Sequence, residues 1–312
     1  MAIHHLAPSR DTLRGSFSRE FPPVLTIDSG DTVRFQTLDA GWTIAPSGST
    51  FEGRHPETDR GHALIGPVAV RGAEPGDVLA VQVNQITPGK WGWNVAGGFP
   101  HAVNERLGIA DAGHRTRLNW SIDIDTMTGT NQFGHQVALQ PFMGMMGLAP
   151  AEPGIHSTVP PRFCGGNIDC KELIAGSTLY LPVATEGALF STGDGHAAQG
   201  DGEVSVTAIE CGMEVVDLTF FLLKGMNLSM PRAKTPSAWI TFGFHEDLNE
   251  ATAMALEEMV KFMVELYPLT RAEALALASV VVDLRVTQIV NQTRGVHAVL
   301  PHGAIRGIQK RV

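Results

Sequence analysis

The chain has 312 residues, with 34 Gly and 19 Pro, 43% hydrophobic and only 18% charged residues, and a formal charge of −9. It carries no collagen period and is too apolar for bulk disorder, and its acidic balance excludes nucleic acid as an expected partner. A Gly/Pro excess with few charges suits a turn-rich, mainly β protein with a sizeable core.

In chain order, residues 1–11 lack the apolar stretch of a signal peptide. Val24–Ile27, the turn Asp28–Asp31 and Thr32–Phe35 read as a hairpin. Val68–Val70 and the alternating Leu79, Val81 and Val83 read as a second one, across the turn Gly72–Asp77. Leu179, Leu181 and Val183 mark a further strand. Gly-Asp or Gly-Ser opens a strand at Gly30, Gly76 and Gly176. Turn chemistry explains this without an internal repeat. Residues 42–61 and 90–98 read as long irregular loops, of the kind that is functional or mobile. Their tryptophans, Trp42, Trp91 and Trp93, either wall a pocket or pack beneath the loops.

The last quarter changes character. Leu248, Ala251, Ala255, Met259, Phe262, Met263 and Leu266 recur at helical spacing, and Pro268 stops the run. Thr270 and Glu273 form a capping-box pattern for a second helix to about Val282. Residues 284–290 return to a β-like run. The expected fold class is α+β, mainly β: a β-sandwich or barrel-like body over 1–235, and a C-terminal helical α/β section over 236–312 packed on it as one unit. No Gly-rich nucleotide fingerprint follows a strand. The longest apolar run, Ala274 to Val282, is too short to span a bilayer, so no membrane partner is expected. Three cysteines, Cys164, Cys170 and Cys211, without zinc-finger spacing, suit the reduced thiols of a cytoplasmic protein.

The densest polar cluster runs from Ser191 to Glu203. In an extended segment residues i and i+2 share a face, which pairs Asp194 with His196 and Asp201 with Glu203. Carboxylate and imidazole are zinc-type ligands, and a neighbouring Glu can act as general base. The competing reading is two Asp-Gly turns with solvated side chains. The spacing does not fit an EF-hand. Upstream, Gly165-Gly166-Asn167-Ile168-Asp169 makes a bend, with His156 nearby in sequence.

These blocks resemble the acetamidase/formamidase family of amide hydrolases. The resemblance rests on residues 62–67 leading into 72–77, on Pro160-Pro161-Arg162 with 165–169, on 189–203 followed by Ala208-Ile209-Glu210, and on 283–290. It spans about residues 28–301. It implies hydrolysis of a small amide to a carboxylic acid and ammonia, a β-rich fold, a homodimer and a divalent metal. Carried over by position, Asp39, His62, Asp169, Asp194, His196 and Glu203 are its candidate residues. Ile65 and Ile168 depart from the Thr and Met usual in the family, which points the substrate towards a bulkier or cyclic amide such as a γ-lactam.

The mechanism expected from this resemblance places the metal, zinc, on Asp194 and His196 with Asp39, His62 or Asp169. Calcium is allowed only at a second site that is not an EF-hand. Glu203, Asn167 and Asp201 form the expected catalytic set, with Glu203 as base and Asn167 or backbone N–H groups stabilising the oxyanion. Two rival readings stay open: an amidase using Cys170 as nucleophile, and a non-catalytic β-rich protein that binds a small ligand or sugar.

Overall fold

A computed structural model describes residues 1–308 and Arg311. Three sheets form the body. The largest has nine strands in the order Ile3–Leu6, Thr32–Phe35, Met213–Leu223, Val78–Pro88, Thr178–Pro182, Arg232–Lys234, Ala238–His245, Arg294–Pro301 and Asp283–Gln288. A six-stranded sheet is built around Phe190–His196, flanked by Phe142–Leu148 on one side and Leu64–Val70 on the other. A four-stranded sheet runs from Trp91–Ala96 through Thr116–Asp123 and Thr128–Asn131 to Gln136–Ala138.

The two large sheets pack face to face. Period-two apolar positions of the nine-stranded sheet (Val33, Phe35, Leu79, Val81, Leu218, Phe220) share one core with Ile65, Val68, Met143 and Phe190 of the six-stranded sheet. Phe190 meets Phe35 at 6.3 Å and Phe220 at 5.0 Å between ring centroids. Every residue of Phe190–His196 is buried, so its Ser, Thr, Asp and His lie inside the protein.

The C-terminal helices form where periodicity places them. Leu248–Leu266 is N-capped by Asp247, and Arg271–Val281 by the Thr270/Glu273 capping box. Ala255, Met259 and Met263 pack with Val296, Ala298 and Leu300 of the sheet in a second core. The strands of residues 236–301 continue the nine-stranded sheet of the body. Among the described residues no helix is long and apolar enough to cross a membrane.

Two expected hairpins are not formed. Leu25–Ile27 pairs in parallel with Leu64–Val70, while Thr32–Phe35 joins the other sheet. Likewise Leu64–Val70 and Val78–Pro88 lie in different sheets. Both turns cross between layers, because the strands bury their apolar faces against each other rather than edge to edge. Residues 90–98 are not a loop; they contain the strand Trp91–Ala96. The Gly-Asp openings have a local cause. Asp31 accepts the backbone N–H of Asp28 at 3.1 Å, and Asp77 that of Glu74 at 2.9 Å, each closing its own turn.

Candidate active site

The site grows from the buried strand Phe190–His196. Asp194 and His196 project together, with His196 Nε2 3.4 Å from Asp194 Oδ1. A third group, Glu210, arrives from a bridge to His196 and places Oε2 3.4 Å from the same nitrogen. On the other side of the ring, His196 Nδ1 lies 2.9 Å from Gln199 Oε1 and 4.0 Å from Asp169 Oδ1. Phe142 holds the ring edge-on at 5.1 Å between centroids.

Room for this convergence comes from Gly144, on the neighbouring strand. A Cβ there would sit 2.7 Å from Asp169 Oδ1 and His196 Cε1, and 2.8 Å from Asp194 Oδ2. Real Cβ contacts do not reach such distances, so the cradle depends on this glycine.

Asp169 is held by Asn291, whose Nδ2 donates to Oδ2 at 2.6 Å from the loop before the strand Arg294–Pro301. Glu203 offers a carboxylate oxygen to the set of Asp169 and His196. Among the described residues, four buried atoms here have no hydrogen-bond partner: Asp169 Oδ1, His196 Nε2, Glu203 Oε2 and Glu210 Oε2. Unpaired buried groups of this kind cost several kcal/mol unless something compensates them, on the order of 1–3 each or more when charged.

The electrostatics follow from burial. Burial raises Asp169 to about 7 against the opposing charge of His196, with Asp194 adding to the rise. Burial raises Glu210 to about 7, again opposed by His196 and assisted by Asp194. Glu203 is pushed well above the carboxylate range by burial and then by the Asp169 charge. Asp194 stays low: burial opposes its charge, but His196 and His62 hold it ionised. His196 is raised despite burial, by Glu210 and Asp194.

A cavity of about 360 Å³ opens onto Asp194, Glu203 and Glu210, with Trp42 and Trp93 among its walls. His62 and Asn167 also line it. His62 Nδ1 is 2.7 Å from Thr158 Oγ1. Asn167 donates Nδ2 to Val159 O at 3.0 Å, leaving Oδ1 buried without a partner.

Other expected residues lie elsewhere. Both oxygens of Asp39 are engaged, Oδ1 by Thr43 N and Oδ2 by Trp93 Nε1, each at 2.7 Å, so Asp39 fixes a cavity wall. Asp201 is exposed and pairs with Lys171 at 3.0 Å. It does not share a face with Glu203, because the chain between them turns and Glu203 sits at φ 46°. Cys170 is fully buried against Glu172 and does not line the cavity; burial, then the Glu172 charge, pushes its thiol well above the ordinary range. A nucleophile needs the thiolate and access, and Cys170 has neither. Ile65 and Ile168 are buried core residues that do not line the cavity.

Gly144, Gln199, Glu210 and Asn291 escape the sequence reading. Glu210 stands beside a recognisable block, but nothing in its spacing marks it as facing His196. Asn291 lies about a hundred residues from the cluster it serves.

Comparisons with known proteins place the chain as a whole. The acetamidase/formamidase family model matches residues 5–157 and 151–304. An acetamidase of Mycolicibacterium smegmatis is 28% identical over 315 residues, covering 77% of this chain and 77% of its own. The crystal structure of an acetamidase from Bacillus halodurans matches with a TM-score of 0.83 at 30% identity, covering 95% of this chain and 97% of the other. A γ-lactamase from Delftia acidovorans shares the fold at a TM-score of 0.61 and 21% identity, over 96% of this chain and 90% of the other. With matched segments running from residue 5 to residue 304 and the fold shared over 95% of its length, the chain belongs to the acetamidase/formamidase family of amide hydrolases.

Proposed function

We propose that this chain hydrolyses a small primary or cyclic amide in the cavity beside Asp194, Glu203 and Glu210, with a divalent metal of the zinc type. The observation that carries the reading is a cluster of four buried atoms without partners among the described residues, on Asp169, His196, Glu203 and Glu210, of which Glu203 and Glu210 line one small cavity. Family membership displaces the non-catalytic binding alternative.

The donor set suits a metal. Asp194, His196 Nε2 and Glu210 each offer a ligand atom, and these atoms lie within 4.8 Å of one another. Gln199 Oε1 accepts a hydrogen bond from His196 Nδ1–H, which leaves Nε2 as the nitrogen that would ligate a metal beside the carboxylates. Asp39, whose oxygens are both engaged, and His62 are left out of this set. When bound, such a metal lowers the pKa of a water to about 7 and polarises the amide carbonyl.

The protein's own groups supply the rest. Glu203 and Asp169 hold one proton between them, which relieves both raised carboxylates. With that proton resting on Asp169, the Glu203 carboxylate at the cavity takes the proton of the attacking water and returns it to the departing nitrogen. Asn167 Oδ1 accepts an N–H of the substrate amide, a role fitted to its acceptor orientation rather than to an oxyanion donor. Trp42 and Trp93 keep bulk water from the reacting carbonyl.

The test is ammonia release from formamide, acetamide and propionamide, and ring opening of a γ-lactam, before and after metal stripping. The expected result is turnover of at least one amide that vanishes on chelation and returns with zinc. An enzyme that turns over amides equally well without metal ends the metal-assisted reading.

A further inference from the structure

Next to Asp169 in sequence, away from the cavity, lies a second donor set, with two of its three members buried and Glu172 half-buried. Cys170 Sγ is 3.3 Å from Glu172 Oε2, and His297 Nε2 is 3.5 Å from the same oxygen. The three donor atoms lie within 4.8 Å of one another. Cys170 and His297 are both 0% exposed. His297 Nε2 has no hydrogen-bond partner among the described residues, although its Nδ1 is 2.7 Å from Thr287 Oγ1. Glu172 is oriented through its other oxygen by Arg285 Nη1 at 2.9 Å.

We propose that Cys170, Glu172 and His297 bind one divalent metal ion of the zinc type, distinct from the metal of the active site. Three observations carry this. The donor types, thiol, carboxylate and imidazole, are those zinc takes. Ligands at roughly 2.0 to 2.3 Å around a tetrahedral zinc stand about 3.3–3.5 Å apart, which is the spacing already present around Glu172 Oε2. The outer contacts are those of a prepared site: Thr287 Oγ1 engages Nδ1 of His297, so Nε2 is the nitrogen free to ligate, and Arg285 holds the other Glu172 oxygen.

The ion would tie together two distant parts of the chain. Cys170 and Glu172 follow the short strand Gly165–Asn167, and His297 lies on Arg294–Pro301. Binding releases the thiol proton to solvent and leaves a thiolate–metal bond. The adjacent Asp169, whose carboxylate faces His196, is thereby anchored through the neighbouring Cys170. The site does not depend on the proposed catalytic mechanism, because the active-site donors include no thiol.

The experiment uses the full chain, stripped of metal and titrated with cobalt(II). The expected spectrum has a near-ultraviolet thiolate-to-cobalt charge-transfer band. Cys170→Ser and His297→Gln abolish that band and lower the bound metal by one equivalent. Glu210→Gln and Cys211→Ser retain it. The wild-type spectrum decides even if the Cys170 or His297 variants fold poorly: cobalt-saturated protein without the band overturns the proposal. So does a band that persists in Cys170→Ser or disappears in Cys211→Ser.

Discussion

Gln199 Oε1 lies 2.9 Å from His196 Nδ1, and this contact selects the nitrogen that His196 turns towards Asp194 and Glu210. Gln199 also donates Nε2 to the backbone oxygen of Asp169 at 2.8 Å, joining both halves of the site. Gln199→Ala is expected to weaken metal binding about 10–100-fold, as loss of an outer-sphere partner does. Competition with a chromogenic chelator measures the affinity. Unchanged affinity would assign tautomer control to another group.

Glu203 and Asp201 separate a buried acid from a surface one. Glu203→Gln should keep the metal and lose turnover by about 10²–10⁴-fold, the usual range for a general acid–base group. Asp201→Asn, at an exposed residue paired with Lys171, should change stability by no more than about 0.5 kcal/mol and leave turnover intact. Steady-state kinetics with metal analysis on both variants checks the pair, and near-normal turnover in Glu203→Gln removes it from the mechanism.

Gly144→Ala places a methyl group where Asp169, His196 and Asp194 converge. The neighbours are polar atoms of packed side chains with little freedom to move. A loss of about 1–3 kcal/mol in stability is expected from such overpacking, together with reduced metal content and turnover. Thermal unfolding and elemental analysis provide the readouts. A variant that melts and loads metal like the wild type would show slack in the cradle.

Asp31 links folding to pH. Its carboxylate accepts the N–H groups of Ala2 at 2.6 Å and Asp28 at 3.1 Å, and these bonds lower its pKa from 3.8 to about 2. A folded-state pKa below the unfolded one gives stability that is present above pH 3.8 and lost as pH falls towards 2. Asp31→Asn should therefore melt below the wild type at neutral pH, with the gap in Tm closing between those two pH values. A gap that stays constant down to pH 2 would mean that charge contributes nothing there.

Local rules marked the elements that depend on local chemistry. The helix Leu248–Leu266 shows its apolar face at a spacing of three and four, and Thr270 with Glu273 caps its successor within four residues. Gly30, Gly76 and Gly176 open strands because each turn closes on itself. Pairing partners were not legible in the same way. Leu25–Ile27 and Thr32–Phe35 look like a hairpin in sequence, yet they pair in different sheets, with Leu64–Val70 and with Ile3–Leu6 and Met213–Leu223 respectively. An apolar alternation states that one face is buried but not against what.

The same division runs through the site. Sequence by itself determined the β-rich body with its helical tail, the family, and the pairing of Asp194 with His196, because alternate residues of one strand share a face whatever the strand packs on. Tertiary structure alone decided that Glu210 and Asn291 join them, that Asp201 faces solvent beside Lys171, and that Asp39 steadies Trp93 with one oxygen and the Thr43 backbone with the other. The reason is physical: a carboxylate's role is set by burial and by which neighbours answer its charge, and those neighbours arrive from other strands and loops only when the sheets close.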